Sequence, residues 1–407
     1  MARNIVVLLD GTSNEIKKNR TNIVRLYGCL ERSDRQLVYY DPGVGTMGAA
    51  NSWSPTYRRL VEVWGLATGF GLDQNVKEAY SYLIEHYQEG DRIFIFGFSR
   101  GAYTARVLAA LIHAVGLITH GQLNLLEYIY RAYSRIKKGE EMYWGSEDDP
   151  VSLFRKMLKP QHPTIRCLGL FDTVGSVLQA GRLSIFPKRK IFAWTDWNTS
   201  VQAVRHAVAI DERRVSFRPQ LWPKGESFSP INEEGWIGAP VADQDVREVW
   251  FTGVHADIGG GYAEGVSGLA KISLDWMIKE TRAMDLHFQD DTVNVIVLGL
   301  NADGSEKTAE EKQKAKKLYA IPHPDSERNE SMNGAWRFLE WLAGWRRRKN
   351  SPNVADHARG GWRRPHSPRT IPDGAWIHHT VFDRTASDLD QTNMPRSYKV
   401  FRQSDHA

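Results

Sequence analysis

The sequence predicts an α/β protein with a mostly parallel central sheet flanked by helices, and three observations lead to this fold class. Short apolar runs rich in β-branched residues recur along the chain, as expected for strands buried on both faces. Segments with apolar residues at the 3.6-residue period lie between these runs, as expected for helices with one buried face. Of the 407 residues, 42% are hydrophobic and 25% charged, which indicates a folded domain rather than a disordered chain.

Each predicted element rests on a local pattern. The strands end at glycine or at small polar residues, and the helix that starts at Leu72 carries Val76, Ala79, Tyr80 and Leu83 on one face. The predicted strands are 4–10, 36–40, 92–97, 164–171 and 246–252, and the predicted helices are 72–87, 102–115 and 269–283. Strands that alternate with helices indicate a parallel sheet, in which ligands bind beyond the carboxyl ends of the strands.

The organisation predicted along the chain is one domain, 1–407, with an irregular insertion at 301–372. No internal repeat is present, and Cys29 and Cys167 are too few for a disulfide scaffold. No signal peptide is predicted, and the longest uncharged run, 107–126, is interpreted as a buried helix because it is too short and too polar to span a bilayer. We therefore expect a cytoplasmic protein.

A candidate nucleophile lies in Gly97-Phe98-Ser99-Arg100-Gly101, which fits the pattern G-x-S-x-G. The pattern alone is weak, but here a buried strand precedes it and a helical segment follows it, which is the setting that the motif requires. The glycines permit a tight, strained turn that exposes Ser99 at the start of a helix. The alternative is a structural Gly-Ser turn.

A serine nucleophile needs a base and an orienting acid, in the chain order Ser, Asp or Glu, His for this architecture. Asp172 follows the strand 164–171, and His255 follows the strand 246–252. All three candidates thus come after strands, at one edge of a parallel sheet. Asp172 could instead cap a helix, His255 could be an ordinary loop histidine, and Asp257 is a competing orienting acid.

The oxyanion of an acyl-transfer reaction needs two backbone N–H donors. One is expected from Arg100, the residue after the nucleophile, and the other from Gly11 or Thr12, which follow the first strand. Asp10 and Asn14 could support that loop. The alternative is an ordinary turn after a strand.

Other chemistries find little support. Asp10-Gly11-Thr12 lacks the second acid that a phosphatase of the haloacid dehalogenase type needs two residues after its aspartate. No histidine and cysteine cluster has zinc spacing, and His378-His379 is expected to pack or to form hydrogen bonds at the start of a strand. Neither a dinucleotide-binding turn nor a P-loop is present. We therefore expect no metal and no cofactor.

Six segments resemble the DUF2235 family, which is the α/β-hydrolase domain of the Tle1-type phospholipase effectors of the type VI secretion system. They are VVLLDGTSN at 6–14, FGFSRGAYTAR at 96–106, GLFDTVG at 169–175, HAVAIDERR at 206–214, GVHADIGGGY at 253–262 and IHHTV at 377–381. The resemblance runs from about residue 3 to about residue 385. It implies a serine esterase with Ser99, Asp172 and His255 at the matching positions, and a lipid or phospholipid as a plausible substrate.

The net charge of +5 comes from one segment, 336–370, which holds nine basic and two acidic residues together with four tryptophans. This composition fits contact with anionic lipid headgroups, since tryptophan favours the membrane interface and basic residues favour an anionic surface. Nucleic acid is a weaker alternative, and an insertion whose tryptophans pack on the core is the simplest one. Two alternatives to a lipid esterase remain: a binding protein on a hydrolase scaffold, and a hydrolase of a non-lipid acyl bond. The sequence does not indicate an oligomeric state.

Overall fold

The computed structural model describes the chain in thirteen stretches. They are 2–11, 19–43, 71–136, 151–174, 178–181, 184–189, 192–214, 217–232, 237–308, 310–312, 319–332, 368–385 and 394–403. The segment 333–367, and with it most of the basic segment at 336–370, lies outside them. None of the described helices is both long enough and apolar enough to cross a bilayer.

The central sheet has eight strands in the described part of the chain, in the order β12-β11-β10-β7-β4-β3-β1-β2. Every neighbouring pair is parallel. The strands are β1 (Asn4–Leu9), β2 (Gln36–Asp41), β3 (Arg92–Phe98), β4 (Ile165–Phe171), β7 (Val201–Ala209), β10 (Asp245–Phe251), β11 (Ala375–His378) and β12 (Tyr398–Phe401). Two antiparallel pairs lie outside the sheet, and they join β5 (Leu178–Gly181) to β6 (Ser184–Arg189) and β8 (Ser227–Phe228) to β9 (Ala242–Asp243).

Helices lie between these strands. The α-helices are α1 (Asn22–Cys29), α2 (Leu72–His86), α3 (Arg100–Val115), α4 (Leu126–Tyr133), α5 (Ser152–Leu158), α6 (His255–Gly259), α7 (Gly268–Arg282) and α8 (Asp290–Val293). Short 3₁₀ segments cover His120–Leu125, Glu264–Val266 and His379–Val381, and a π-helical turn covers Asn294–Leu298. The predicted fold class, a mostly parallel sheet flanked by helices, is confirmed.

The alternation of side chains along β1 explains how one strand serves two cores. Ile5, Val7 and Leu9 pack into a cluster with residues of α2, α3 and α4. Val6 and Leu8 point to the other face and pack with residues of α1 and α7. Both sets are buried, because a parallel strand covered by helices on its two faces has no solvent-exposed side.

The predicted elements agree with the observed ones to within two residues at each end. Helix α3 begins at Arg100, directly after Ser99, rather than at residue 102. Three strands of the central sheet were not predicted, namely β7, β11 and β12, and neither were the four strands of the two antiparallel pairs. The prediction for His378 was wrong in position, because this residue ends β11 instead of starting a strand.

Candidate active site

Ser99 occupies the sharp turn between β3 and α3. Its φ of 60° lies in the left-handed region, which is strained for a residue with a side chain. Its backbone N–H donates to the carbonyl of Phe171 at the end of β4, at 3.0 Å, and this bond helps to hold the strained turn. Ser99 is half-buried, so its hydroxyl lies next to the core without being sealed inside it.

The two glycines of the motif are required by the close approach of the backbone. A Cβ on Gly97 would lie 2.4 Å from the carbonyl oxygen of Gly101. A Cβ on Gly101 would lie 2.2 Å from the carbonyl oxygen of Leu9, at the end of β1. The turn can therefore close onto the start of α3 only when position 97 lacks a side chain, and α3 can pack against the end of β1 only when position 101 lacks one.

Asp172 follows β4 directly and is fully buried. Its φ of 42° is also in the left-handed region, so the turn after β4 is strained as well. Its N–H donates to the carbonyl of Ala207 at 2.8 Å, and its Oδ1 accepts from the N–H of Ala209 at 3.0 Å. These contacts attach the residue to β7, its neighbour in the sheet.

His255 is the first residue of α6, in the loop after β10. Its Nδ1 lies 2.5 Å from Oδ2 of Asp172, and its Nε2 lies 2.8 Å from Oγ of Ser99. The imidazole packs between the rings of Phe98 and Phe217, with centroid distances of 4.8 and 4.9 Å. The structure thus brings the three predicted residues into one row of hydrogen bonds, across the carboxyl ends of β3, β4 and β10.

The charge states follow from these contacts. Burial works against the ionised form of Asp172, but the charge of Arg369 and the bond from His255 outweigh it and hold the pKa of this carboxyl well below its usual range. Burial lowers the pKa of His255, although Asp172 pulls it upward. At neutral pH the imidazole is therefore neutral. Its Nδ1 donates to the carboxylate, which leaves Nε2 as the acceptor for the serine hydroxyl.

Asp257, the competing acid, does not contact the imidazole through any bond described here. Its carboxylate accepts from the backbone N–H of Val254 at 3.0 Å and from Nδ2 of Asn329 at 2.6 Å. Burial raises its pKa to about 6. Asp257 thus braces the loop that carries His255, while Asp172 makes the contact with Nδ1.

The loop after β1 is held by Asp10. Its Oδ1 accepts from the N–H of Gly11 at 2.6 Å, and its Oδ2 accepts from the hydroxyl of Thr21 at 2.5 Å. The Gly11 amide, a predicted oxyanion donor, is therefore engaged with a carboxylate. Thr12 and Asn14 lie outside the described residues. Arg100 opens α3, where the first amides point out of the helix.

A second buried carboxylate near His255 was not predicted. Oε2 of Glu212 accepts from the backbone N–H of His255 at 3.2 Å and from Nη2 of Arg214 at 2.8 Å. Burial opposes its ionisation, but the hydrogen bonds and charge of Arg214 lower its pKa to about 2. Both residues lie in HAVAIDERR, so the sequence offered a signal in this motif without indicating a role.

A buried histidine supports the turn of Asp172 and was also missed. Nε2 of His206 accepts from the N–H of Thr173 at 3.1 Å, and its Nδ1 lies 2.8 Å from Oε2 of Glu248. Since Nε2 accepts, Nδ1 carries the proton and the ring is neutral, in keeping with the lowering of its pKa by burial. His206 thus fixes the backbone just after Asp172.

Among the described residues, no group of histidine, cysteine and acidic side chains is arranged to hold a metal ion. His378 Nδ1 contacts the hydroxyl of Thr380 at 2.8 Å, and His379 Nδ1 contacts Asp383 at 2.6 Å. The expectation that this histidine pair forms hydrogen bonds is met by these contacts.

A family model described as the type VI secretion system phospholipase effector Tle1-like catalytic domain matches residues 3–280. The chain belongs to this family. All three residues of the hydrogen-bonded row of this Tle1-like domain lie inside the matched region, as do Glu212 and Arg214, whereas Arg369 lies beyond it.

One curated protein and two solved structures are similar to this Tle1-like domain. The uncharacterized protein YEL023C of Saccharomyces cerevisiae is 33% identical over 234 residues, which are 53% of this chain and 32% of that protein. The chain therefore spans about a third of that relative's length. A crystal structure of an uncharacterized protein from Pseudomonas aeruginosa is 18% identical, with a TM-score of 0.36 over 88% of this chain and 55% of the other. A structure of the Tle1 effector bound to the VgrG spike is 20% identical, with a TM-score of 0.31 over 66% and 53%.

Proposed function

We propose that the chain is a serine ester hydrolase of the α/β-hydrolase type that cleaves an acyl ester of a lipid. The observation that carries this proposal is the continuous row from Oγ of Ser99 through the imidazole of His255 to the carboxylate of Asp172, with distances of 2.8 and 2.5 Å. Such a row, with a neutral imidazole in the middle, is what activates a serine hydroxyl.

In the first half of the proposed reaction, Oγ of Ser99 attacks the carbonyl carbon of the ester while Nε2 of His255 takes the hydroxyl proton. Asp172 stabilises the imidazolium that forms. The C–O bond to the alcohol then breaks, and His255 gives its proton to the departing alcohol oxygen. The acyl group is now an ester of Ser99.

In the second half, water attacks the acyl carbon while His255 again takes a proton. The bond to Oγ breaks, the proton returns to Ser99, and the fatty acid leaves. The backbone N–H of Arg100 is suited to stabilise the oxyanion in both halves, because it follows the nucleophile at the start of a helix. Thr12 is kept as the candidate for the second donor, since the amide of Gly11 is engaged with Asp10.

The substrate class rests on family membership, because the family is that of a phospholipase effector. We propose a phospholipid acyl ester on this ground. The basic segment 336–370 is proposed to give peripheral contact with an anionic membrane, and delivery by a type VI secretion system is proposed from the same family description. No observation here favours nucleic acid as a partner.

Labelling by a fluorophosphonate tests the chemistry without knowledge of the substrate. We expect wild type to be labelled at Ser99 and Ser99→Ala to lose both labelling and the hydrolysis of short-chain esters. The chain offers a matched control, because Oγ of Ser200 lies 2.7 Å from Nδ1 of His113 in another serine–histidine pair. Ser200 is 1% exposed and cannot reach a reagent, so Ser200→Ala should leave labelling unchanged.

Two outcomes would contradict the proposal. If Ser99 stays unlabelled in folded wild type, the chain is better explained as a binding protein on a hydrolase scaffold. If Ser99 is labelled but phospholipid vesicles and short esters are not cleaved, while acyl thioesters or amides are, the substrate is a non-lipid acyl compound.

A further inference from the structure

Arg369 lies just before β11, far along the chain from the proposed catalytic residues, and is 2% exposed. Its Nη1 lies 2.5 Å from Oδ1 of Asp172, and its Nη2 lies 2.9 Å from Oδ2. This is the paired geometry in which a guanidinium binds both oxygens of a carboxylate. Asp172 thus makes a two-point contact with Arg369 while Oδ2 also meets His255.

The same guanidinium joins two further segments. Nη1 donates to the carbonyl of Ala209 at the end of β7, at 3.0 Å, and Nη2 donates to the carbonyl of Phe217 at 2.5 Å. Phe217 packs edge-on against the imidazole of His255. Arg369 therefore fixes the carboxylate and also the backbone of a residue that packs against the base.

Several charged groups from different elements face His255. Asp172 comes from the end of β4, and Glu212 with Arg214 comes from the loop after β7. Asp257 lies on the helix of His255 itself, where its carboxylate is bonded to Val254 and Asn329. Each of the two carboxylates bonded to His255 has an arginine of its own: Arg369 on Asp172 and Arg214 on Glu212.

This arrangement has an electrostatic consequence. A buried carboxylate with no compensating cation would stabilise the imidazolium strongly, because opposite charges attract more in a medium of low dielectric constant. The pKa of the base would then rise, and a larger fraction of it would be protonated at neutral pH and unable to take the serine proton. An arginine on the far side of Asp172 weakens this attraction while leaving the hydrogen bond to Nδ1 intact.

We propose that Arg369 is a positioning residue of the hydrolytic site, which clamps Asp172 in the orientation that meets His255 and keeps the imidazole in its neutral, basic form. This inference rests on the proposed function. It also gives the region after residue 280, beyond the family match, a part in the site, since the clamp comes from there together with β11 and β12. Arg369 falls within the basic segment 336–370, whose composition fits contact with anionic lipid, yet its own side chain is buried.

The test is the pH dependence of fluorophosphonate labelling at Ser99 in Arg369→Gln and Arg369→Lys. In Arg369→Gln the charge is lost, and we expect the acid limb of the labelling rate to move upward by about one pH unit. In Arg369→Lys the positive charge stays, but the paired hydrogen bonds of the guanidinium to both carboxylate oxygens are lost. We expect an acid limb close to that of wild type and a plateau rate lowered by on the order of tenfold, since lysine does not reproduce two-point binding.

A matched control separates this role from structural support. Arg205 is equally buried and contacts the buried Glu280 at 2.5 Å, away from the row of Ser99, His255 and Asp172. Arg205→Gln should lower the melting temperature without moving the acid limb. A decrease in melting temperature or labelling rate that both variants show is then due to lost packing and not to lost positioning of Asp172.

The outcomes are distinguishable. Absence of labelling in wild type defeats the proposed function itself. Normal labelling in wild type with an unmoved acid limb in folded Arg369→Gln overturns the role of Arg369. Should Arg369→Gln fail to fold, Arg369→Lys decides, because an unchanged plateau rate in this variant overturns the inference and a lowered rate in a folded protein supports it.

Discussion

Gly101 is the glycine of the G-x-S-x-G turn whose replacement by alanine should damage the proposed active site most. The new Cβ would lie 2.2 Å from the carbonyl oxygen of Leu9 and 2.5 Å from that of Asp10. Ordinary contacts of a Cβ begin at 3.4 Å, so the first contact is short by about 1.2 Å. Both opposing atoms are backbone of the loop and strand that carry Asp10, and no side chain can rotate away.

The relief must therefore come from movement of α3 away from β1. Overpacking of this kind costs about 1–3 kcal/mol, and a displacement of about 1 Å at a catalytic group costs on the order of a hundredfold in rate. Since Ser99 immediately precedes α3, we expect Gly101→Ala to lose about two orders of magnitude in the Ser99 labelling rate and to melt at a lower temperature. Differential scanning fluorimetry and timed labelling measure both effects.

Gly121→Ala is the matched control, because a Cβ at Gly121 meets nothing within 4 Å. It should keep wild-type labelling and melt close to wild type. Wild-type labelling and stability in Gly101→Ala would refute the reasoning, because they would mean that the close approach of α3 to β1 is not required for the turn.

Three further predictions concern pH and stability. The pKa of His255 is lowered by burial, so the acid limb of kcat/KM for a soluble ester should lie below pH 6.5, and a limb above pH 7 would contradict the assigned base. Interactions in the folded state lower the pKa of Glu212 to about 2, from an ordinary value of 4.5. This difference contributes about 3 kcal/mol to the free energy of unfolding, which is present above pH 4.5 and is lost as the pH falls toward 2. The free energies of unfolding of Glu212→Gln and wild type, measured in urea, should therefore converge on acidification. A difference between them that does not depend on pH would contradict this linkage. Gly28 lies within α1, and a Cβ there would meet only the side chain of Ile296, at 3.6 Å. Because alanine favours a helix over glycine, Gly28→Ala should raise the free energy of unfolding by about 0.5 kcal/mol in the same assay. A clear loss would mean that the site does not have room for the added methyl group.

The predicted part of the fold came from patterns that are local. A parallel strand that is buried on both faces consists of a run of apolar residues. This pattern allowed β1, β3 and β4 to be predicted from the sequence. β7 was missed because Arg205 and His206 interrupt its apolar run. Their side chains are buried and partnered by Glu280 and Glu248, which lie 75 and 42 residues away in sequence. No local window contains those partners.

The candidate site divides along the same line. Ser99, Asp172 and His255 each followed a recognisable strand, so their placement at one sheet edge was predictable from order alone. The supporting residues were missed, namely Glu212, His206 and Arg369. They make their contacts with backbone groups or with a carboxylate elsewhere in the chain, and the residues next to them in the sequence do not indicate these contacts.

The sequence by itself determined which residues end the strands and which turn needs glycine, because strand periodicity and backbone sterics act over a few residues. Only the tertiary structure decided which acid meets the imidazole. Asp257 is two residues from His255 and Asp172 is 83 residues away, yet the hydrogen bond to Nδ1 comes from Asp172. The physical reason is that the parallel strands of one sheet all place their carboxyl ends at the same edge, where separation along the chain no longer sets the distance in space.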